Sequence, residues 1–179
     1  ALALTPVNVN FLRMKSEIAM RRGDWDKAFV YADEALSSDA SDIASLEHRA
    51  TLCLQKSDID GAEAAISKGL QLSPDHAGLM RRMSDIASRR SDMENAFSWA
   101  RKAQEANPQD PNSYSRIAAL CMQRNDFVGA REATEKTLEL TPNNPAALRR
   151  MSEILMRSGN ITEAFSYAER SIQVNPFDP

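Results

Sequence analysis

The sequence predicts an all-α fold, an α-solenoid of five antiparallel helix pairs. Its composition is rich in the helix formers Ala, Leu, Glu, Arg and Met, with only 6 glycines among 179 residues. Alanines recur every 34 residues, at Ala28, Ala62, Ala96, Ala130 and Ala164. Prolines recur at 34 residues or twice 34, at Pro6, Pro74, Pro108, Pro142 and Pro176. Self-similarity at a period of this size indicates stacked helical repeats.

The first helix of each repeat is predicted to begin after a capping residue. Short polar side chains there can accept a hydrogen bond from a free amide of the first turn. The cap positions are Asn8, Asp42, His76, Asp110 and Asn144, of which all but the histidine are good capping residues. Apolar residues then recur on one face of this helix, at Leu12, Leu46, Met80, Tyr114 and Leu148.

The second helix of each repeat is predicted to begin after Asp24, Asp58, Asp92, Asp126 or Asn160. It carries the periodic alanine and, seven residues later, another small residue or a threonine. Small residues at fixed helical positions let two helices approach closely. The proline series then ends the helix, because proline cannot continue the hydrogen-bond ladder.

The period divides the chain into segments. We expect residues 1–8 to be the tail of a preceding repeat with a linker. The repeats are then 9–42, 43–76, 77–110, 111–144 and 145–179, the last including the start of a further helix.

Both ends of the sequence align with internal segments. "LALTPVN" at 2–8 aligns with "LELTPNN" at 138–144, and "NPFDP" at the C-terminus aligns with "NPQDP" at 107–111. By this match Asp178 caps a further helix and Pro179 is its first residue. We therefore expect a fragment of a longer array, whose last helix leaves Ile161, Phe165, Ile172 and Val174 partly bare.

Units of 34 residues with this alanine, a small residue seven later and a proline five after that resemble the tetratricopeptide repeat. The resemblance covers five repeats and essentially the whole chain. One departure is the residue where the family favours glycine, which here is Ser16, Ala50, Ser84, Ala118 or Ser152. The resemblance implies a right-handed solenoid that holds another protein or peptide in a concave groove.

The groove face implied by this resemblance carries many arginines. In repeats one, three and five it holds the trios Arg13, Glu17 and Arg21; Arg81, Asp85 and Arg89; and Arg149, Glu153 and Arg157. Members of a trio are four residues apart, so they form one stripe along the helix. Arg82, Arg116 and Arg150 lie beside the stripe, and His48 lies on it in repeat two.

Two interpretations of this face remain open. An Arg–acid–Arg ladder can be an ordinary solvated surface, on which each ion pair contributes about 0.3–0.5 kcal/mol. Alternatively, the face binds an acidic partner, since the 16 arginines outnumber the 6 lysines and the guanidinium fork suits carboxylates. The Lys/Asn clamp by which some family members grip a C-terminal carboxylate has no counterpart here, because the matching positions carry Arg and an acid.

Two further functions are compatible with the sequence. One is a substrate-recruiting arm of a larger enzyme, such as a glycosyltransferase. The other is binding of an anionic polymer, either polysaccharide or RNA. The net charge of −3 and the lack of aromatic stacking residues argue against nucleic acid as the partner.

No catalytic or cofactor motif is found. There is no phosphate-binding glycine loop, no nucleophile elbow and no metal-ligand cluster, so we expect no catalysis, metal or cofactor within these residues. Cys53 and Cys121 are interpreted as small buried hydrophobes rather than a disulfide.

Without an apolar run of membrane-spanning length or a signal peptide, the cytoplasm is the expected compartment. Weak self-association through the bare ends is also expected.

Overall fold

The computed structural model describes residues 8–175, which form ten α-helices and no β-strand. The predicted tail before residue 8, and the cap and helix start predicted at Asp178 and Pro179, lie outside this range. The helices are α1 (Val9–Arg21), α2 (Trp25–Ser38), α3 (Ile43–Gln55), α4 (Ile59–Leu72), α5 (Ala77–Arg89), α6 (Met93–Ala106), α7 (Pro111–Gln123), α8 (Phe127–Leu140), α9 (Pro145–Arg157) and α10 (Ile161–Val174).

All ten helices begin directly after the capping residues that the sequence predicts. The carboxylate of Asp42, for example, accepts a hydrogen bond from the amide of Ser45 at 3.0 Å. His76 also caps its helix, because its Nδ1 accepts from the amide of Leu79 at 3.2 Å. These bonds satisfy amides that the first helical turn leaves without a partner.

The described residues form two compact units, 8–90 and 91–175. In the first unit α1 packs on α2 and α3 on α4, while α2 contacts α3 and α4 contacts α5. In the second unit α7 packs on α8 and α9 on α10, while α6 contacts α7 and α8 contacts α9. Each unit is therefore a continuous stack in which neighbouring helices along the chain pack against each other.

The helices of a pair meet at small residues. Ala28, Ala62 and Ala130 are completely buried, which agrees with the predicted close approach. Ser16 donates from Oγ to the carbonyl oxygen of Ala28 at 2.6 Å, and Ser152 does the same to Ala164 at 2.8 Å. At these two positions, the serine that replaces the family's glycine therefore forms a hydrogen bond between the two helices of a pair.

The turn inside a pair reverses the chain through a residue in the left-handed backbone region. Its φ is +76° at Gly23 and +81° at Gly159, but the same position also holds Ser57 at 61° and Asn125 at 57°. The next amide donates back into the preceding helix, as from Asp58 to the carbonyl of Cys53 at 2.8 Å. This arrangement is a helix C-terminal motif that favours glycine, because a Cβ is strained there.

We predict that Ser57→Gly stabilises the protein by about 0.5–1 kcal/mol. The gain is the relief of left-handed strain, reduced by the greater freedom of glycine in the unfolded chain. Urea unfolding measures it. The exposed Ala64 in α4 is the control, since Ala64→Gly should lose about 1 kcal/mol. A Ser57→Gly variant no more stable than wild type would show that the left-handed backbone at Ser57 is not strained.

Candidate functional site

The predicted trio of α1 does not pair entirely within itself. Glu17 accepts from Arg21 at 2.7 Å, and both side chains are exposed. Arg13 instead reaches the start of α3, where its Nη1 lies 3.0 Å from Oδ2 of Asp42, the capping carboxylate of that helix. Its other terminal nitrogen donates to Asn10 at 2.7 Å. Arg13 therefore joins two repeats of the first unit.

His48, predicted on the same face of α3, is buried with 9% of its surface exposed. Its Nε2 lies 2.7 Å from Oγ of Ser16. That hydroxyl donates to the carbonyl of Ala28, so it accepts from His48, and Nε2 carries the proton. The histidine thus forms the end of a hydrogen-bonded chain that links α3, α1 and α2.

The α5 face carries the arginines of the third repeat at different levels of burial. Arg81, Arg82 and Asp85 are partly buried, whereas Arg89 is exposed. Arg89 donates to the carbonyl oxygen of Leu54 at 3.2 Å, near the end of α3. The side chain of Arg82 makes no hydrogen bond or ion pair with any residue in 8–175.

The second unit places a similar set on α9, with Arg116 on α7. Glu153 pairs with Arg157 at 2.8 Å, and Arg149 is exposed. Arg150 is partly buried, and its side chain makes no hydrogen bond or ion pair within the described part of the chain. Burial lowers the pKa of its guanidinium from the ordinary value, with Glu153 opposing the change and Arg149 adding to it. The group nevertheless remains charged at neutral pH.

A groove that the sequence analysis missed lies in the second unit. It has a volume of about 1570 Å³, with walls formed by α6 and α8 and a floor formed by α7. Phe97, Arg101, Ile117 and Arg124 are among the residues that line it. A comparison of equivalent positions two repeats apart could have found it, because residues 49 and 117 are Arg and Ile.

Both cysteines are buried and free. Burial raises the pKa of the Cys53 thiol to about 11, with Arg49 opposing that shift, so it stays protonated near neutral pH. Within residues 8–175 no group of His, Cys, Asp or Glu side chains could hold a metal ion. None of the helices described there has the length and hydrophobicity needed to cross a bilayer.

The apolar side chains of α10 are exposed. Ile161, Phe165, Ile172 and Val174 show 61%, 65%, 62% and 41% of their surface, respectively. Ile161, Phe165 and Ile172 share one side of the helix, and an uncovered apolar stripe of this kind is common at sites where another surface packs.

Comparison with known proteins identifies the type of repeat. The sequence profile of the tetratricopeptide repeat matches residues 49–111 and 120–179. No curated protein sequence matches the chain.

Solved structures of helical-repeat proteins resemble the fold. A thermophilic TPR protein of Thermus thermophilus has a TM-score of 0.81 at 16% identity, with 96% of this chain and 93% of that chain covered. PilF of Pseudomonas aeruginosa has a TM-score of 0.80 at 18% identity, covering 93% and 76%. YrrB, described as a TPR protein with an unusual peptide-binding site, has a TM-score of 0.62 at 14% identity, covering 95% and 88%. These likenesses confirm the predicted all-α solenoid class.

We predict that His48 makes the fold sensitive to mild acid. Burial lowers its pKa below the ordinary 6.5, with Glu17 opposing and Arg13 adding to the shift. The unfolded chain therefore binds the proton more readily. The stability that neutral His48 contributes is complete above about pH 6.5 and is lost as the pH falls through the lower folded-state pKa.

Urea unfolding at pH 7.5 and pH 5 of wild type and His48→Gln measures this contribution. The loss of stability on acidification should be smaller in the variant. His76 and the carboxylates are common to both proteins, so their effects cancel. Equal losses in the two proteins would show that His48 does not titrate differently on folding.

Proposed function

Because this chain belongs to the tetratricopeptide repeat family, we propose that it is a protein–protein interaction scaffold whose arginine-bearing first helices bind an acidic protein or peptide. Stacked repeats present preformed helices, so little conformational ordering accompanies binding. We assign the binding to two surfaces, each of which lies within one of the two units. The α5 face comprises Arg81, Arg82, Asp85 and Arg89, and the α9 face comprises Arg149, Arg150, Glu153 and Arg157.

The observation that carries this proposal is the state of Arg82 and Arg150. Both residues are partly buried, and neither side chain has a hydrogen-bond or ion-pair partner among residues 8–175. Partial burial strips water from a group with five N–H donors, and an anion restores its hydrogen bonds in a bidentate geometry. A carboxylate from a partner supplies that anion. The other arginines of these faces position the partner less directly, since several already hold contacts within the chain.

A protein or peptide fits these surfaces better than an anionic polymer. Acidic side chains alternate with the arginines, as Glu153 does with Arg149 and Arg157, so neither face is continuously basic. A polyanion would meet these carboxylates, whereas a peptide can place single carboxylates beside single arginines. YrrB offers a precedent for peptide binding on a chain of this fold.

We predict that Arg82→Glu with Arg150→Glu weakens binding of acidic peptides at least tenfold and leaves the urea midpoint nearly unchanged. Neither arginine makes a side-chain hydrogen bond or ion pair within the described chain that the substitution would break. Fluorescence anisotropy at low and moderate salt measures the affinity, and wild-type binding should weaken with salt because the faces are open to water. The matched control is Arg22→Glu with Lys68→Glu, the same charge change at two exposed side chains outside both faces.

If the double variant binds as tightly as wild type, the arginines form only a solvated surface. Heparin and single-stranded RNA belong in the same titration. Tighter binding of either polymer than of the peptides would favour the polymer alternative over the acidic peptide.

We also propose weak self-association through the exposed apolar stripe of α10. Sedimentation velocity over a wide concentration range should show a rising average mass for wild type. Phe165→Glu, which places a charge at the centre of that stripe, should remove the rise. A protein that stays monomeric at high concentration would contradict this proposal.

A further inference from the structure

The α6–α8 groove of the second unit has a filled counterpart in the first unit. Two repeats earlier, Arg49 lies in the equivalent place on α3. Its Nε donates to Asp33 at 2.8 Å, and Nη1 donates to the sulfur of Cys53 at 2.6 Å. Its guanidinium carbon also lies 4.7 Å from the centre of the Phe29 ring. The first unit thus closes this site with one of its own side chains.

The second unit lacks both residues of the Asp33–Arg49 pair that closes the site in the first unit. Ile117 occupies the position of Arg49, and Arg101 occupies the position of Asp33. The aromatic ring is kept as Phe97 and the thiol as Cys121. Isoleucine is shorter than arginine and its side chain makes no hydrogen bonds, so the groove stays open over a partly buried apolar floor of Phe97 and Ile117.

Two guanidinium groups converge on this open site. Arg124 lies 5.4 Å from the centre of the Phe97 ring. Arg101 is exposed and makes no hydrogen bond or ion pair within residues 8–175 through its side chain, and Arg124 has no ion pair there. Both charges lower the pKa of the Cys121 thiol, against the larger effects of burial and Asp126, so both lie near the floor.

Acidic residues also line the groove. Asp126 already has partners within the chain, since its carboxylate accepts hydrogen bonds from the amide of Gly129 at 2.9 Å and from the Cys121 thiol. Glu94, Glu105 and Glu132 also belong to the lining, together with the cations Lys102 and Lys136. Acidic and basic groups therefore share the lining, and Arg101 and Arg124 are the cations that act at Cys121 on its floor.

The groove differs from the arginine-bearing face of the first helices. On α7 it is lined by Tyr114, Ile117, Cys121 and, just past the helix end, Arg124. Ser115 and Ala119 are the equivalents, one repeat later, of Arg81 and Asp85 on the arginine-bearing face. At 3.6 residues per turn, Ile117, Cys121 and Arg124 lie a third to a half of a turn away from them. Occupation of one surface therefore does not block the other.

We propose that the α6–α8 groove is a second binding site that takes an extended peptide segment. An apolar side chain of the segment lies on Phe97 and Ile117, and a neighbouring carboxylate pairs with Arg101 and Arg124. The groove exceeds the ~300–1,000 Å³ of small-molecule pockets, which favours a polymer chain as the occupant. The apolar floor with two overlying guanidinium groups selects for the paired apolar and acidic side chains.

The test uses a variant whose design is taken from the first unit of the chain. Arg101→Asp with Ile117→Arg reproduces the Asp33–Arg49 pair of the first unit, and should close the groove while keeping or raising the urea midpoint. Random dodecapeptides displayed on phage are selected on the 179-residue wild-type chain and counter-selected on this variant. The surviving peptides should carry an apolar residue within two positions of Asp or Glu. Their affinity should fall at least tenfold on the variant.

Two further proteins make the result decisive. Arg82→Glu with Arg150→Glu should bind the selected peptides as wild type does, which separates this site from the first-helix faces. Arg101→Glu with Arg124→Glu, both at exposed positions, should lose binding and provides a second test if the groove-closing variant unfolds. The proposal is overturned if no peptide survives counter-selection, or if the survivors bind the Arg101→Glu, Arg124→Glu protein as tightly as wild type.

Discussion

Close approach of two antiparallel helices at small residues is the constraint on which each pair depends. The contact is direct where Ser16 and Ser152 donate to the backbone of Ala28 and Ala164. A larger side chain at either partner would separate the helices, because a packed interior leaves no room for additional methylene groups. Small residues fix where the two helices of a pair cross, and capping residues set where each helix begins. The helix faces outside this contact can therefore carry residues for binding.

The same frame therefore supports different surfaces in successive repeats. At one equivalent position Arg49 closes a site with its own hydrogen bonds, whereas Ile117 leaves that site open beneath two arginines. On the first helices, Arg13 joins two repeats, while Arg82 and Arg150 have no hydrogen-bond or ion-pair partner in the described chain. Position in the repeat fixes where a side chain lies, but its neighbours decide whether it serves packing or binding.

The helix starts could be predicted because two independent signals coincide, the 34-residue period and the capping chemistry. Even the weak cap at His76 begins its helix where the period places it. The site was less predictable, because it depends on side chains that converge from different helices. His48 shares a helix face with polar residues, yet Ser16 of another repeat draws it into a buried hydrogen-bonded chain. The left-handed turn at Ser57 was also missed, since serine carries no signal for that conformation.

The most direct test of the helix-crossing constraint is a substitution series at Ser152, with Ala, Val and Leu in turn. Free energies of unfolding from urea titration should fall slightly for Ser152→Ala, by about 0.5–1.5 kcal/mol for the lost hydrogen bond. Repeats two and four already accept alanine at this position, as Ala50 and Ala118. Ser152→Val and Ser152→Leu should cost a further ~1–3 kcal/mol, increasing with side-chain volume. A Ser152→Leu protein as stable as the Ser152→Ala protein would contradict the account, because the helices would then not depend on a small residue where they cross.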